Sequence, residues 1–204
     1  SLTGVEGRAT FANQKVYLLA NGNWKEQPLR ASGTLTLGQG SPVLALQLES
    51  KAFDTRVLGE QLPVQGLAAF ALAISGRGDQ PVLDGWIKLP EGHFQQYTLT
   101  NGEAKIHMEG QQLELRQLSL EALGGQLSAK GTIFLNDQSY ALQILGKHVD
   151  LQGLGDAIPQ VKGYGDITAS VRGKGSLADA NFSGNIAVGP GQVAGVVFDS
   201  LQAG

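Results

Sequence analysis

The feature that most restricts this chain is an apolar residue at every second position, recurring along almost its whole length. The runs "GTLTL" (33–37), "LALQLE" (44–49), "FALAIS" (70–75), "LELRQLSL" (113–120), "GTIFL" (131–135), "ALQIL" (141–145), "DITASV" (166–171) and "NIAV" (185–188) alternate apolar with small or polar side chains. In an extended backbone, successive side chains point to opposite faces, so this spacing predicts strands with one buried face. Turn-forming groups stand between the runs: "NG" at 21–22 and 101–102, "ND" at 136–137 and "GPG" at 189–191. The best helix candidate is the short stretch "LGDAIP" at 154–159, stopped by Pro159. The pattern predicts an all-β chain of roughly 18–20 short strands, each of about 5–6 residues.

Composition excludes several functions. The net charge is −3 and charged residues make up only 16%, with no basic patch of the kind that phosphate-backbone binding needs, so nucleic acid is not an expected partner. Without cysteine, disulfides, thiolate catalysis and Cys-ligated metals are ruled out. No apolar run approaches the 18 or so residues of a membrane-spanning helix. The chain begins at Ser1 and stops at "SLQAG", and is expected to be a piece of something longer.

The strand pattern repeats. Aligning "GTLTLGQGSPVLAL" (33–46) with "GTIFLNDQSYALQI" (131–144) superimposes Gly33, Thr34, Leu37, Ser41 and Leu44 on Gly131, Thr132, Leu135, Ser139 and Leu142. "LPVQG" (62–66) meets "IPQVKG" (158–163), "SGRGD" (75–79) meets "RGKGS" (172–176), and "DGWIKLPEGHF" (84–94) meets "SGNIAVGPGQV" (183–193). All these offsets fall between 97 and 99 residues. They predict one continuous repeat rod over 1–204: the end of a preceding unit (1–32), a full unit (33–130) and a second, incomplete unit (131–204). The same alignment disposes of the Arg-Gly-Asp triplet at 77–79 as an adhesion motif. Its glycines recur in the second copy but its Asp does not, so backbone conformation explains the triplet.

Strands with one apolar face must cover it. The candidate lining is aliphatic: Leu35, Leu37, Leu44, Leu46, Phe70, Leu72, Ile74, Leu113, Leu115, Ile133, Leu135, Leu142, Ile144, Ile167, Val171, Ile186 and Val188. About 20 strands at ~4.7 Å spacing make a sheet roughly 90 Å long, with too little mass left over for a second covering sheet. Such a sheet is expected to curl on itself, helped by regularly placed glycine, and leave an apolar slot suited to acyl chains. The alternative is a groove closed tightly enough to be an ordinary core.

Chemistry-bearing patterns are missing. His93, His107 and His148 lack metal-ligand spacing, and neither a GxSxG elbow nor a Walker A loop occurs. "GPGQVAG" (189–195) precedes no helix that would cradle phosphate. Asp79 and Asp84 could pair as acid and base, but a solvated turn accounts for them better. "NFS" (181–183) matches a glycosylation sequon by coincidence. The expectation is a protein with no enzymatic activity, cofactor or metal.

One family shares these features. The run "VDLQGLGDAIPQVKGYGDITASVRGKGSLADANFSGNIAVGPGQVAGVVFDSLQA" (149–203) resembles the repeats of the TamB branch of the AsmA-like superfamily. The shared elements are an Asp-Leu, a leucine-rich bend, a Pro, a Gly-x-x-Gly, and a glycine-spaced tail matched here by Gly173 through Leu201. "FDTRVLGEQLPVQG" and "DGWIKLPEG" match the same pattern more loosely, and "LSLEALGGQLSAKGTI" (118–133) resembles the connecting segment. The resemblance implies an elongated, twisted β-taco, an open half-pipe with an apolar concave lining. It also implies a periplasmic location, within a protein anchored in the inner membrane of a double-membraned bacterium. The implied partners are phospholipid acyl chains and, through another part of the full-length chain, an outer-membrane barrel protein of the TamA/BamA type. The expected function is therefore a bridge segment for phospholipid transport. The rival is a periplasmic scaffold that helps assemble outer-membrane β-barrels by β-augmentation. A β-helical adhesin would instead need coils of about 20–25 residues.

Overall fold

The computed structural model describes residues 2–61, 64–152, 161–175, 181–193, 196–199 and 201–203. They form one antiparallel sheet. Its strands are β1 (Leu2–Ala12), β2 (Lys15–Trp24), β3 (Gln27–Thr36), β4 (Val43–Asp54), β5 (Val64–Arg77), β6 (Gln80–Phe94) and β7 (Tyr97–Glu109), followed by β8 (Gln112–Ala122), β9 (Gly125–Phe134), β10 (Ser139–Asp150), β11 (Val161–Lys174), β12 (Asn181–Val193), β13 (Val196–Phe198) and β14 (Leu201–Ala203). Spatial order follows chain order from β1 to β13, and β14 also pairs with β12. A 3-10 turn spans Thr55–Gln61, and Leu151 and Gln152 are also in 3-10 conformation. The sheet is open, since its path never returns to β1, and it is uncurled.

The all-β expectation holds, but the strand count needs correcting. Among the described residues the sheet has 14 strands rather than 18–20, and the first twelve run to between 10 and 15 residues. At ~4.7 Å per strand the sheet is roughly 60 Å across, not 90. The reason lies in the turn signals. "NG" at 21–22 sits inside β2, "NG" at 101–102 inside β7 and "GPG" at 189–191 inside β12. Asn101 has a φ of +53° where the β7–β8 register shifts, so this pair marks a bulge. The true hairpin turns carry less obvious residues. Asn13–Gln14, Lys25–Glu26 and Leu123–Gly124 each hold two successive residues at φ between +49° and +69°, the type I′ geometry that matches strand twist. The 154–159 helix candidate lies outside the described residues.

Bulges keep one face apolar along these long strands. In β4, β8 and β10 two consecutive exposed residues, Lys51–Ala52, Arg116–Gln117 and Lys147–His148, interrupt the alternation where the register shifts. Each bulge adds one residue, so the inward positions change from Ser50 to Phe53, from Leu115 to Leu118 and from Gly146 to Val149. "LELRQLSL" is thus two alternating runs joined by a bulge. Gly33 and Gly131 mark close strand approach: at φ +134° and +156°, a Cβ on either would come within 2.1 Å of the carbonyl oxygen of Ala45 or Ala141.

Candidate functional site

The register sorts side chains into two unlike faces. One row runs Leu18, Gly33, Leu46, Ile74, Leu83, Met108, Leu113, Ile133, Tyr140, each residue paired with the next across adjacent strands. The next runs Ala20, Ala31, Leu48, Leu72, Gly85, Ile106, Leu115, Gly131, Leu142, Val171. A third continues through Ser50, Phe70, Ile87, Ala104, Leu118, Ala129, Ile144 and Ala169. Ser50, the one polar member of the three rows, is buried, and its hydroxyl donates to the Pro28 carbonyl at 2.7 Å.

Thirteen of the seventeen candidate lining residues share this face. They are Leu35, Leu44, Leu46, Phe70, Leu72, Ile74, Leu113, Leu115, Ile133, Leu142, Ile144, Ile167 and Val171. Twelve are half-buried and Val171 is buried. Leu37 and Leu135 are not brought into the rows: each follows the last residue of its strand, at 42% and 45% exposure. Ile186 and Val188 pair through their backbones with Ile167 and Gly165, and their side chains lie outside what is described.

The opposite face is mixed: it exposes Leu19, Trp86 and Leu145, and it is crossed by ion pairs. Lys88 meets Glu103 at 2.7 Å, Lys147 meets Asp166, and Asp84 accepts from both His107 Nδ1 (2.8 Å) and Arg116 (3.0 Å) while Arg116 also reaches Glu114 (3.1 Å). Hydrogen bonds from Lys88 and from Lys147 hold the Glu103 and Asp166 carboxyls below their usual range. The Asp84–His107–Arg116–Glu114 cluster escaped the sequence reading, since only strand register brings residues so distant in sequence together. It contains a His–carboxylate pair, with His107 Nδ1 2.8 Å from Asp84.

The other candidates stay apart. Asp79 pairs with Arg77 at 3.1 Å in the β5–β6 turn, and Asp84 is occupied as described, so the two carboxylates do not work as an acid–base pair. His93 is exposed, and the His148 ring stacks on Tyr164 at 4.4 Å. Among the described residues no group of three or more His, Cys, Asp or Glu could hold a metal, and no helix is long and apolar enough to cross a membrane.

A compact protein of this mass exposes about 9,100 Å². This chain exposes 13,032 Å², as a single layer with no second sheet over its apolar face must. The class defined by fold and faces is an open antiparallel meander with one largely aliphatic side and one mixed side that carries the ion pairs. No family model, curated protein or solved structure matches the chain.

Proposed function

We propose that this chain is a non-enzymatic segment of a TamB-like periplasmic bridge. Its apolar face shields phospholipid acyl chains in transit between an inner and an outer membrane. One observation carries the reading: rows of apolar side chains, interrupted only by glycine and Ser50, run across the strands, and among the described residues no second sheet covers them. Such a row is a track perpendicular to the strands. A methylene chain moving along it exchanges one set of aliphatic contacts for an equivalent set, each buried CH₂ contributing about 0.8 kcal/mol. In the working protein the sheet bends about this face into a half-pipe, keeping tails dry while head groups face water through the seam. The outer-membrane barrel partner is reached through another part of the full-length protein.

The test is to extract purified protein with organic solvent and count phospholipid per chain by mass spectrometry, beside Leu115→Asp and Ile144→Asp variants. Both substitutions place a charge among aliphatic neighbours. Lipid in the native protein, lost in variants that retain strand circular dichroism, is the expected result. A lipid-free native protein that binds extended amphipathic peptides saturably would favour the barrel-assembly scaffold. Global unfolding by either substitution would point to a closed core.

A further inference from the structure

We infer a second binding feature on the ion-paired face: an anion site for a phosphoryl group, held between Lys130 of β9 and Arg172 of β11. It is independent of the acyl-chain reading, because it uses the other side of the sheet. The register builds it. Lys130 lies opposite Gln143, which lies opposite Ser170, while Arg172 lies opposite Ala141. The two cations are therefore two strands apart and staggered by two residues, roughly 12 Å between backbones by strand spacing and rise. Both side chains are long enough to lean over the intervening strand, where Ala141 offers only a methyl group. The result is a shallow depression of about 280 Å³, with the Ser170 hydroxyl and the Gln143 amide on its walls.

Its electrostatics favour an anion. Among the described residues no carboxylate pairs with Lys130 or Arg172, whereas Lys88, Arg116 and Lys147 on the same face are paired. The one carboxylate at the rim, Glu114, is engaged by Arg116. An incoming oxyanion thus meets two uncompensated cations and neutral donors. A phosphoryl group, with three oxygens, can accept a fork from arginine and a point charge from lysine simultaneously. The group can come from a soluble phosphate ester or from a lipid head group at a membrane surface.

The experiment has two arms, run on the native protein, on Lys130→Gln/Arg172→Gln and on a control, Lys88→Gln/Lys105→Gln. Inorganic phosphate is titrated while backbone amide resonances are followed, and phosphatidylglycerol vesicles are co-sedimented with and without phosphate as competitor. Saturable shifts centred on Lys130, Gln143, Ser170 and Arg172 are expected, weakened about tenfold per cation removed and unchanged in the control. Binding to phosphate alone assigns a soluble ligand, whereas phosphate-competed binding to vesicles assigns a head group. Absence of both, or equal binding by the Lys130→Gln/Arg172→Gln variant with its apolar-face resonances intact, overturns the site.

Discussion

Two corners of the sheet solve one geometric problem with different chemistry. β4 and β10 are both 12 residues long, and each bulges at two exposed residues. Each ends in an Asp whose carboxylate accepts the backbone N–H two residues on, from Arg56 or Gln152, at 3.0 Å. At the first corner, inward positions hold Ser50, Phe53 and Thr55. Phe53 stacks on Trp24 (6.0 Å) and meets Phe70 edge-on (5.6 Å), while the Thr55 hydroxyl donates to the Val64 carbonyl (2.8 Å) and accepts from the Gly66 N–H (2.9 Å). At the second corner the same positions hold Gly146, Val149 and Leu151, and the last two are 0% exposed. The backbone path is shared, and what anchors it is interchangeable: an aromatic and hydrogen-bonded lock in one place, aliphatic packing in the other.

The difference can be measured. Leu151→Ala removes a fully buried side chain and should cost about 2–5 kcal/mol in urea unfolding. Thr55→Val leaves the Gly66 N–H without its hydroxyl partner and should cost about 1–3 kcal/mol. If Thr55→Val cost more than Leu151→Ala, the division between a packed and a bonded corner would collapse. Gly33→Ala and Gly131→Ala probe the close approaches one strand before each corner, in β3 and β9. Both should destabilise by about 1–3 kcal/mol, and by similar amounts, because both would press a Cβ on a neighbouring carbonyl. Widely unequal losses would mean that the two corners pack differently there.

The smallest effect concerns acid. Hydrogen bonds from Arg56 lower the Asp54 carboxyl at the first corner, and Lys147 and the His148 N–H lower Asp166 beside the second. A carboxyl whose folded pKa lies below its unfolded value stabilises the fold above about pH 4, and the gain fades as pH falls through the folded pKa. Both groups are solvated, so the slope should be shallow. Asp54→Asn and Asp166→Asn should each flatten the decline in denaturation midpoint below pH 4. A midpoint that stays level down to pH 2 in the native protein would show that neither pair matters.

Alternation alone revealed the class of fold and most of the inward face, because period two is a property of the strand itself. Leu46, Ile74, Leu115 and Ile144 were legible for that reason. Leu37 and Leu135 were misplaced because alternation does not mark where a strand stops. The breaks were misread because glycine-containing pairs serve bulges as well as turns. Asn101 occupies positive φ in mid-strand, while Lys25–Glu26, with no turn signature, closes a hairpin. The bulges did leave a trace, two consecutive polar or small residues between inward positions, as in "LESKAF" and "LGKHV". The ion-paired clusters left none. Asp84, His107 and Arg116 meet only because β6, β7 and β8 pair in a particular register.

Strand order that copies chain order has a consequence for how such a molecule is made and how it varies. From β1 to β13 every pairing joins neighbours, so this part of the sheet can be laid down like knitting, each new strand cast onto the one before it, with no distant segment to wait for. An extended thread arriving one end first could fold as it came. The same logic applies across generations. Two adjacent strands added or removed together leave the direction of every later strand unchanged, and with matching registers the same side chains face inward. The length of the sheet can then drift in hairpin-sized steps, as a ruler is cut to the gap it must span.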